Sequence, residues 1–298
     1  MIKERIIDGK KISQKILTNL KTKIDQDKKK NSVFSVKLAI IVVGDNQASN
    51  IYIKNKIKAA DAVGIEIILR KYSEYTPEMH LLKHIDYLNH EQQVSGIIVQ
   101  LPLPSNFDKT KIINSIIPAK DVDGLHPMNM GLLYSSYRHK FVSCTAMGCL
   151  ELIKSCCSIL TGKHVVIIGR SNIVGRPLGA LLLKQDCSVT ICHSKTTNLQ
   201  LITRQADIVI SAVGVPGFLK KNNFNSNAIV IDVGISRVKL ENKYVLMGDV
   251  DFEDVKQNVQ YITPVPGGVG PMTVAYLLVN TYISAKAKFL SSHNANKH

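Results

Sequence analysis

Apolar positions along this chain follow two rhythms that alternate. Short runs at 36–43, 66–71 and 96–100 predict strands, and between them residues recurring every three or four positions predict helices at 48–63 and 77–89. After a polar loop at 135–140 the alternation resumes, with strands predicted at 164–168, 188–192, 207–212 and 228–233. Strands that alternate with helices predict mainly parallel sheets covered by helices, and the break between the two series predicts two α/β domains. The expected limits are 1–140 for the first and 141–272 for the second. A last apolar helix, 273–290, can pack on either domain by pattern alone, and the tail from Ser291 to His298 is expected to fray.

One residue breaks the pattern of the 48–63 helix. At about 100° per residue, Ala48, Tyr52, Ile53, Ala60 and Val63 share a face with Lys56, while Asn50, Lys54, Lys58 and Asp61 hold the other side. Lys54 and Lys58 are ordinary solvated lysines. Lys56 has two readings. Held against apolar neighbours, its amine loses hydration, its pKa falls, and it can trade protons near neutrality. At the edge of the stripe, it snorkels to water. Ser49 and Tyr52 project from the same ridge.

Composition narrows the function classes. The 298 residues are 45% hydrophobic and 20% charged, the profile of a globular protein of one large or two ordinary domains. The formal charge of +15 raises the question of nucleic acid, but the densest basic run, 21–30, also holds Asp25 and Asp27 and reads as the solvated end of a first helix. Aromatic residues are 6%, Trp is absent, and no rings alternate with basic residues, so a nucleic-acid partner is set aside. A basic surface equally suits a polyanionic small molecule. The six cysteines contain no Cys-x-x-Cys pair, which argues against zinc, any other metal site and a disulfide framework. The first residues lack a signal-like apolar core and no stretch approaches membrane-span length, so a cytoplasmic protein with no membrane partner is expected.

A buried strand at 165–168 runs into Gly169-Arg170-Ser171-Asn172-Ile173-Val174-Gly175-Arg176-Pro177-Leu178-Gly179, a glycine-bearing turn that opens a helix. A dinucleotide pyrophosphate sits on helix amides at such a turn, although a plain strand-to-helix connection has similar residues. Ser171 stands where the usual fingerprint has its close-approach glycine. The following strand ends in Cys192-His193-Ser194-Lys195, without the acid that would bind ribose hydroxyls in an NAD site. A hydroxyl and a cation accept a ribose phosphate that a carboxylate would repel. NADP is therefore the predicted cofactor, with Ser194 and Arg170 as its phosphate ligands, Lys195 a lesser candidate and His193 a polar strand end.

Three further segments look specialised. Val99-Gln100-Leu101-Pro102-Leu103-Pro104 ends a buried strand where ligands of open α/β sheets bind, and Gln100 offers both a donor and an acceptor there. Lys120-Asp121-Val122-Asp123-Gly124 is a turn of residues that are also common in purely structural turns. Thr263-Pro264-Val265-Pro266-Gly267-Gly268-Val269-Gly270-Pro271-Met272-Thr273 is a stiff loop leading into a helix, more specialised than a connector needs.

Together with Ser49-x-x-Tyr52-x-x-x-Lys56, these motifs closely resemble the bifunctional methylenetetrahydrofolate dehydrogenase/methenyltetrahydrofolate cyclohydrolase family, in the family's order and over about 8–290. The resemblance implies NADP-dependent oxidation of methylene-tetrahydrofolate to the methenyl form, then hydrolysis to formyl-tetrahydrofolate. It implies an N-terminal α/β substrate domain, a Rossmann-like NADP-binding domain, an active-site cleft between them, return of the 273–290 helix to the first domain, and a homodimer. By the same likeness Tyr52 stacks on the folate, Lys56 handles protons, Gln100 hydrogen-bonds Lys56, and Asp123 grips the pterin edge. Ser49, Val99, Leu101, Pro264, Gly267 and Gly268 are implied around the substrate, and Gly169, Arg170, Ser171, Ser194 and Ile235 around the cofactor. One departure from the family matters: Ser143-Cys144-Thr145-Ala146 stands where members usually carry Pro-Cys-Thr-Pro, which adds unfolded-state freedom and predicts the same path with looser positioning. A monofunctional dehydrogenase is disfavoured by the presence of Tyr52, Lys56, Gln100 and Asp123. A hydroxy-acid oxidoreductase is disfavoured by the 264–273 loop.

Overall fold

The computed structural model describes residues 5–45, 47–135, 141–240 and 243–295, with backbone alone for 47–49, 240, 243 and 292–295. In chain order its elements are α1 (Gly9–Lys30), β1 (Lys37–Val43), α2 (Gln47–Val63), β2 (Glu66–Tyr72), α3 (Glu78–His90), β3 (Gly96–Val99), α4 (Lys109–Asn114), α5 (Pro127–Tyr134) and α6 (Cys144–Cys156). There follow β4 (His164–Ile168), α7 (Gly175–Leu183), β5 (Ser188–Cys192), α8 (Leu199–Arg204), β6 (Ile208–Ser211), β7 (Ile229–Asp232), β8 (Ser236–Leu240), β9 (Lys243–Met247), α9 (Phe252–Val255), β10 (Tyr261–Ile262) and α10 (Val269–Ala295). They fall into two compact units, one made of Lys15–Cys144 and Val274–His298, the other of Met1–Gln14 and Thr145–Thr273.

The first unit is built on a parallel sheet in the order β2-β1-β3, with Lys37 opposite Glu66 and Leu38 opposite Gly96. The central strand β1 is covered on both faces, which is why its sequence is a continuous apolar run rather than an alternating one. Leu38, Ile40 and Val42 pack with Leu20 and Ile24 of α1, Ile53, Ala60 and Val63 of α2, and Leu277 and Leu278 of α10. Ala39, Ile41 and Val43 point the other way, against Leu81, Ile85 and Leu88 of α3 and Ile112 of α4. Each fully buried Leu or Ile contributes about 1.5–3 kcal/mol, so β1 anchors both layers.

The second unit has a five-stranded parallel sheet in the order β10-β7-β6-β4-β5, and the antiparallel hairpin β8-β9 stands apart from it. Ile168 pairs with both Cys192 and Ser211, and Ser211 with Asp232, so four strands end at one level. The chain leaves β4 to form β5 on one side, then returns to form β6 on the other. Such a reversal opens a crevice at the carboxyl ends of the strands, the usual ligand position in open α/β sheets.

Most expected boundaries shift by one residue, and the last helix moves further. The strand expected to reach Gln100 stops at Val99, and the last helix, expected over 273–290, starts at Val269 and continues to Ala295. The added first turn contains Pro271, which an N-terminal helical turn tolerates because its N–H has no intrahelical partner. At the other end, 291–295 continue the helix where a frayed tail was expected.

Candidate active site

In the first unit, α2 carries Tyr52 and Lys56 one turn apart, and the buried face of this helix is set by Ile53, Ala60 and Val63. Lys56 belongs to that face and is only 7% exposed, so the snorkelling alternative is not realised. Its Nζ donates to Gln100 Oε1 at 2.9 Å. Gln100 in turn is fixed at three points: its backbone N–H donates to Ile41 O at 2.8 Å, its Nε2 donates to Leu101 O at 2.7 Å, and its Oε1 accepts from Lys56. With the amide so engaged, its oxygen is directed at the lysine. Val99 is buried at the end of β3 and Leu101 is half-buried just beyond, at the peptide bond to Pro102, which is cis. The side chain of Ser49 lies outside the described residues.

The two carboxylates of the Asp121-Val122-Asp123-Gly124 turn have different surroundings. Asp121 accepts from the backbone N–H groups of Leu125 and His126 at 3.2 and 2.8 Å and from Asn129 Nδ2 at 2.8 Å, so it holds the turn together. Gly124 has φ +71°, and a Cβ there would lie 2.3 Å from the backbone of Val142, so only glycine closes this turn. Asp123 is half-buried, and the Lys56 ammonium and the Cys144 thiol are its electrostatic neighbours. Burial pushes the Asp123 carboxyl up, with Lys56 pulling it back and Asp121 adding to the rise. Burial likewise pushes the Lys56 amine down, opposed by Asp123 and by Cys144. Both shifts favour neutral partners, and a neutral amine beside a carboxyl group is suited to exchanging protons. Tyr52 is half-buried, and burial raises its phenol. Burial, with the Asp123 charge adding to it, raises the thiol of Cys144 well above its ordinary value, so it stays a thiol and not a nucleophile. Of the departing residues, Ser143 and Ala146 are 1% and 0% exposed, at the start of α6.

In the second unit, the carboxyl end of β4 leads into Gly169, whose φ is +121° and whose N–H donates to Cys192 O at 2.9 Å. A Cβ on Gly169 would meet Ala212 O at 2.5 Å, and one on Gly175 would meet Gly169 O at 2.0 Å. A Cβ on Gly179 would lie 3.3 Å from Ile191 Cδ1, so this third glycine lets α7 approach β5. Ser171 is exposed, and its Oγ accepts from Val174 N at 3.1 Å, fastening the turn before α7. Arg170 and Ser194 each stand two residues beyond a member of the Ile168–Cys192 pair, and both are exposed at the same sheet edge. His193 Nδ1 accepts from Lys195 N at 3.2 Å and its backbone N–H donates to Thr196 Oγ1 at 2.8 Å, so His193 shapes the turn that presents Ser194. Ile235, 42% exposed, follows β7 at this edge.

Pro264, Gly267 and Gly268 belong to the second unit. The bond between Val265 and Pro266 is cis, Gly267 has φ +115°, and Gly267 O accepts from Lys10 N at 3.1 Å. A Cβ on Gly9 would lie 1.9 Å from Gly268 O, so the start of α1 and this loop touch through their backbones. Among the described residues no three His, Cys, Asp or Glu side chains converge as metal ligands. The sequence motifs did not include one polar feature of this unit, the buried carboxylates of Asp232 and Asp249. The runs Asp232-Val233-Gly234 and Gly248-Asp249-Val250, each an aspartate with a valine and a glycine, are the signal that would have found them.

Known proteins match this arrangement over nearly all its length. A Rickettsia typhi protein named bifunctional protein FolD is 56% identical over 276 residues, 93% of this chain and 95% of the relative. The crystal structure of the bifunctional enzyme FolD, methylenetetrahydrofolate dehydrogenase/cyclohydrolase, from Campylobacter jejuni superposes with a TM-score of 0.89 at 48% identity, covering 95% of this chain and 98% of that one. The Trypanosoma brucei methylenetetrahydrofolate dehydrogenase-cyclohydrolase, solved with NADP and an inhibitor, superposes with a TM-score of 0.91 at 36% identity, covering 95% and 97%. Residues 7–123 match the catalytic domain of tetrahydrofolate dehydrogenase/cyclohydrolase and 143–289 match its NAD(P)-binding domain. Lys56 on Gln100 lies within the first match and the Gly169 turn within the second, and the chain belongs to the tetrahydrofolate dehydrogenase/cyclohydrolase family.

Proposed function

We propose that this chain is a bifunctional one-carbon folate enzyme: it oxidises 5,10-methylene-tetrahydrofolate to 5,10-methenyl-tetrahydrofolate with NADP, then hydrolyses the product to 10-formyl-tetrahydrofolate. The observation that carries this reading is Lys56, a desolvated amine hydrogen-bonded to a fixed glutamine beside a carboxyl group. Hydride transfer needs chiefly alignment of the donor carbon, whereas hydrolysis needs a group that moves protons. In its unprotonated form, which burial favours, the Lys56 amine takes a proton from the water that attacks the methenyl carbon and returns it to the ring nitrogen as its bond to that carbon breaks, while the remaining hydroxyl proton leaves to solvent as the formyl C=O forms. Gln100 holds the amine in place, Asp123 accepts N–H groups of the pterin edge, and Tyr52 stacks on the ring, with Ser49, Val99, Leu101, Pro264, Gly267 and Gly268 completing the substrate contacts.

The residues after β4 fit a dinucleotide, because the glycines at 169 and 175 leave backbone exposed where a Cβ would fill the space. Gly169, Arg170 and Ser171 would hold its pyrophosphate, Ser194 and Arg170 its ribose phosphate, and Ile235 would lie along it. NADP, when bound, supplies the hydride acceptor. In this reading 1–140 with the 273–290 helix takes the folate, and 141–272 takes the cofactor. Family likeness adds the expectation of a homodimer working in the cytoplasm.

The test is to supply methylene-tetrahydrofolate and NADP and follow NADPH together with the methenyl absorbance. NADPH with little methenyl build-up, beyond uncatalysed hydrolysis, is expected. In Lys56→Met, NADPH formation persists at an appreciable rate while catalysed hydrolysis falls by about a hundredfold or more. Equal survival of both activities removes the proton-carrying role of Lys56, and failure of the parent protein to form NADPH removes the reading as a whole.

A further inference from the structure

We infer that Asp232 and Asp249 are positioning residues for the cofactor: a buried carboxylate pair that locks the loops after β6 and β7, and with them Ile235, into the shape that receives NADP. The inference rests on the proposed NADP site. Asp232 is 3% exposed and Asp249 0%. The ion pairs among the described residues include neither of them. Their oxygens are met by backbone N–H groups and one hydroxyl instead. Asp249 accepts from Val213 N at 2.8 Å, from Val215 N at 2.9 Å and from Ser211 Oγ at 2.9 Å. Asp232 accepts from Gly234 N at 3.0 Å, from Asp249 N at 3.0 Å and from Val250 N at 2.9 Å.

The glycines of the two runs explain how the carboxylates fit. A Cβ on Gly234 would lie 2.1 Å from Asp249 Oδ1, and one on Gly248 would lie 2.0 Å from Asp232 Oδ2. Each glycine is therefore the space that the other motif's aspartate occupies. Ser211 and Asp232 are paired in register with Ile168 through β6, so the segments held by the pair, 212–215 and 233–235, run along the same edge as Gly169. Ser236 Oγ donates to Gly214 O at 3.3 Å and links the two segments on the far side of Ile235. Ile235 is thus bracketed by Gly234, tied to Asp232, and by Ser236, tied to the Asp249 loop.

A buried carboxylate satisfied by loop backbone donors and one hydroxyl fixes those donors, because turning any one away leaves charge unpaired in a dry site. Burial pushes Asp232 up to about 7, with its backbone donors opposing and Asp249 adding to the rise, so the arrangement is held against a desolvation cost that a purely apolar packing would avoid. A neutral amide at 249 cannot accept at both oxygens, so one loop N–H faces another donor and the 213–215 segment shifts.

The experiment is Asp249→Asn, assayed for both activities in the full chain. The KM for NADP is expected to rise at least about tenfold, with the KM for methylene-tetrahydrofolate within about twofold of the parent. Hydrolysis of added methenyl-tetrahydrofolate without NADP is also expected to stay within about twofold, since it needs no cofactor. An unchanged KM for NADP overturns the inference, and so does a parallel loss of both activities in folded protein, which would make the pair a general fold element. Should Asp249→Asn fail to fold, Ser211→Ala, which removes one of the three donors to Asp249, decides the matter by a rise of about threefold in the same KM or by none. A parent protein that does not reduce NADP refutes the function proposed above, whereas an active parent with an indifferent Asp249→Asn refutes this inference alone.

Discussion

Replacing Ser194 by glutamate puts a fixed charge at the exposed turn that follows β5, two residues past the strand pair that begins the cofactor edge. His193 Nδ1 receives the backbone N–H of Lys195, so the turn has its own support and the new side chain need not disturb it. On the proposed assignment the carboxylate repels a ribose phosphate but accepts from ribose hydroxyls. The expected outcome for Ser194→Glu is a fall of about a hundredfold or more in kcat/KM for NADP, with NAD changed much less; steady-state assays with both cofactors measure it, and an unchanged preference ratio removes Ser194 from the site. What was legible at this scale was residue type at a strand end. The surroundings of a side chain were not, because they depend on which donors and charges the folded backbone brings beside it. Asp121 and Asp123 sit two apart in one turn and read alike, yet Asp121 is engaged by Leu125, His126 and Asn129 while Asp123 has Lys56 as its neighbour.

Elements were legible where burial constrains both faces. The strand β1 reads as Leu-Ala-Ile-Ile-Val-Val because helices cover it on two sides, and that run could hardly be anything else. The hairpin β8-β9 was not read, since Ser-Arg-Val-Lys-Leu alternates with little apolar content and, among the described residues, pairs only with β9. The close of α3 was equally silent. Lys120 Nζ donates to Leu88 O and Glu91 O, both at 2.8 Å, and so caps the carbonyl end of that helix from a distant turn. Burial, with repulsion from Lys288, pushes its amine down to about 8, against the pull of Glu91. The unfolded chain keeps that proton up to the ordinary value of 10.5, so between the two values it binds more protons than the folded chain and stability rises with pH. Between about pH 7 and about pH 10, the unfolding free energy of the parent should gain on that of Lys120→Met by on the order of 2 kcal/mol, allowing for residual solvent. Urea unfolding of the two proteins at both pH values gives the difference directly, and a constant difference contradicts the assignment.

At the scale of the whole molecule, the alternation of strands and helices conveyed two α/β units, but not that two helices would be divided between them. Residues 9–14 of α1 and 269–273 of α10 belong to the second unit, and 15–30 and 274–295 of the same helices to the first. Melting one unit therefore removes helical turns adjoining those of the other, and helix ends fray at a cost because their neighbours hold the ladder. This connectivity predicts one cooperative thermal transition. Ligand binding makes the prediction quantitative. NADP at a hundred times its Kd stabilises the folded state by about 2.7 kcal/mol. Unfolding entropy is about 2.1 cal/mol/K per residue, so all 298 residues melting together shift by roughly 4 °C. If the cofactor unit, about half the chain, melted alone, its midpoint would rise by roughly 9 °C and a second transition would stay where it was. Calorimetry with and without NADP separates the cases: a single peak moved by the smaller amount is expected, and two peaks of which only one moves would mean that the shared helices do not couple the units.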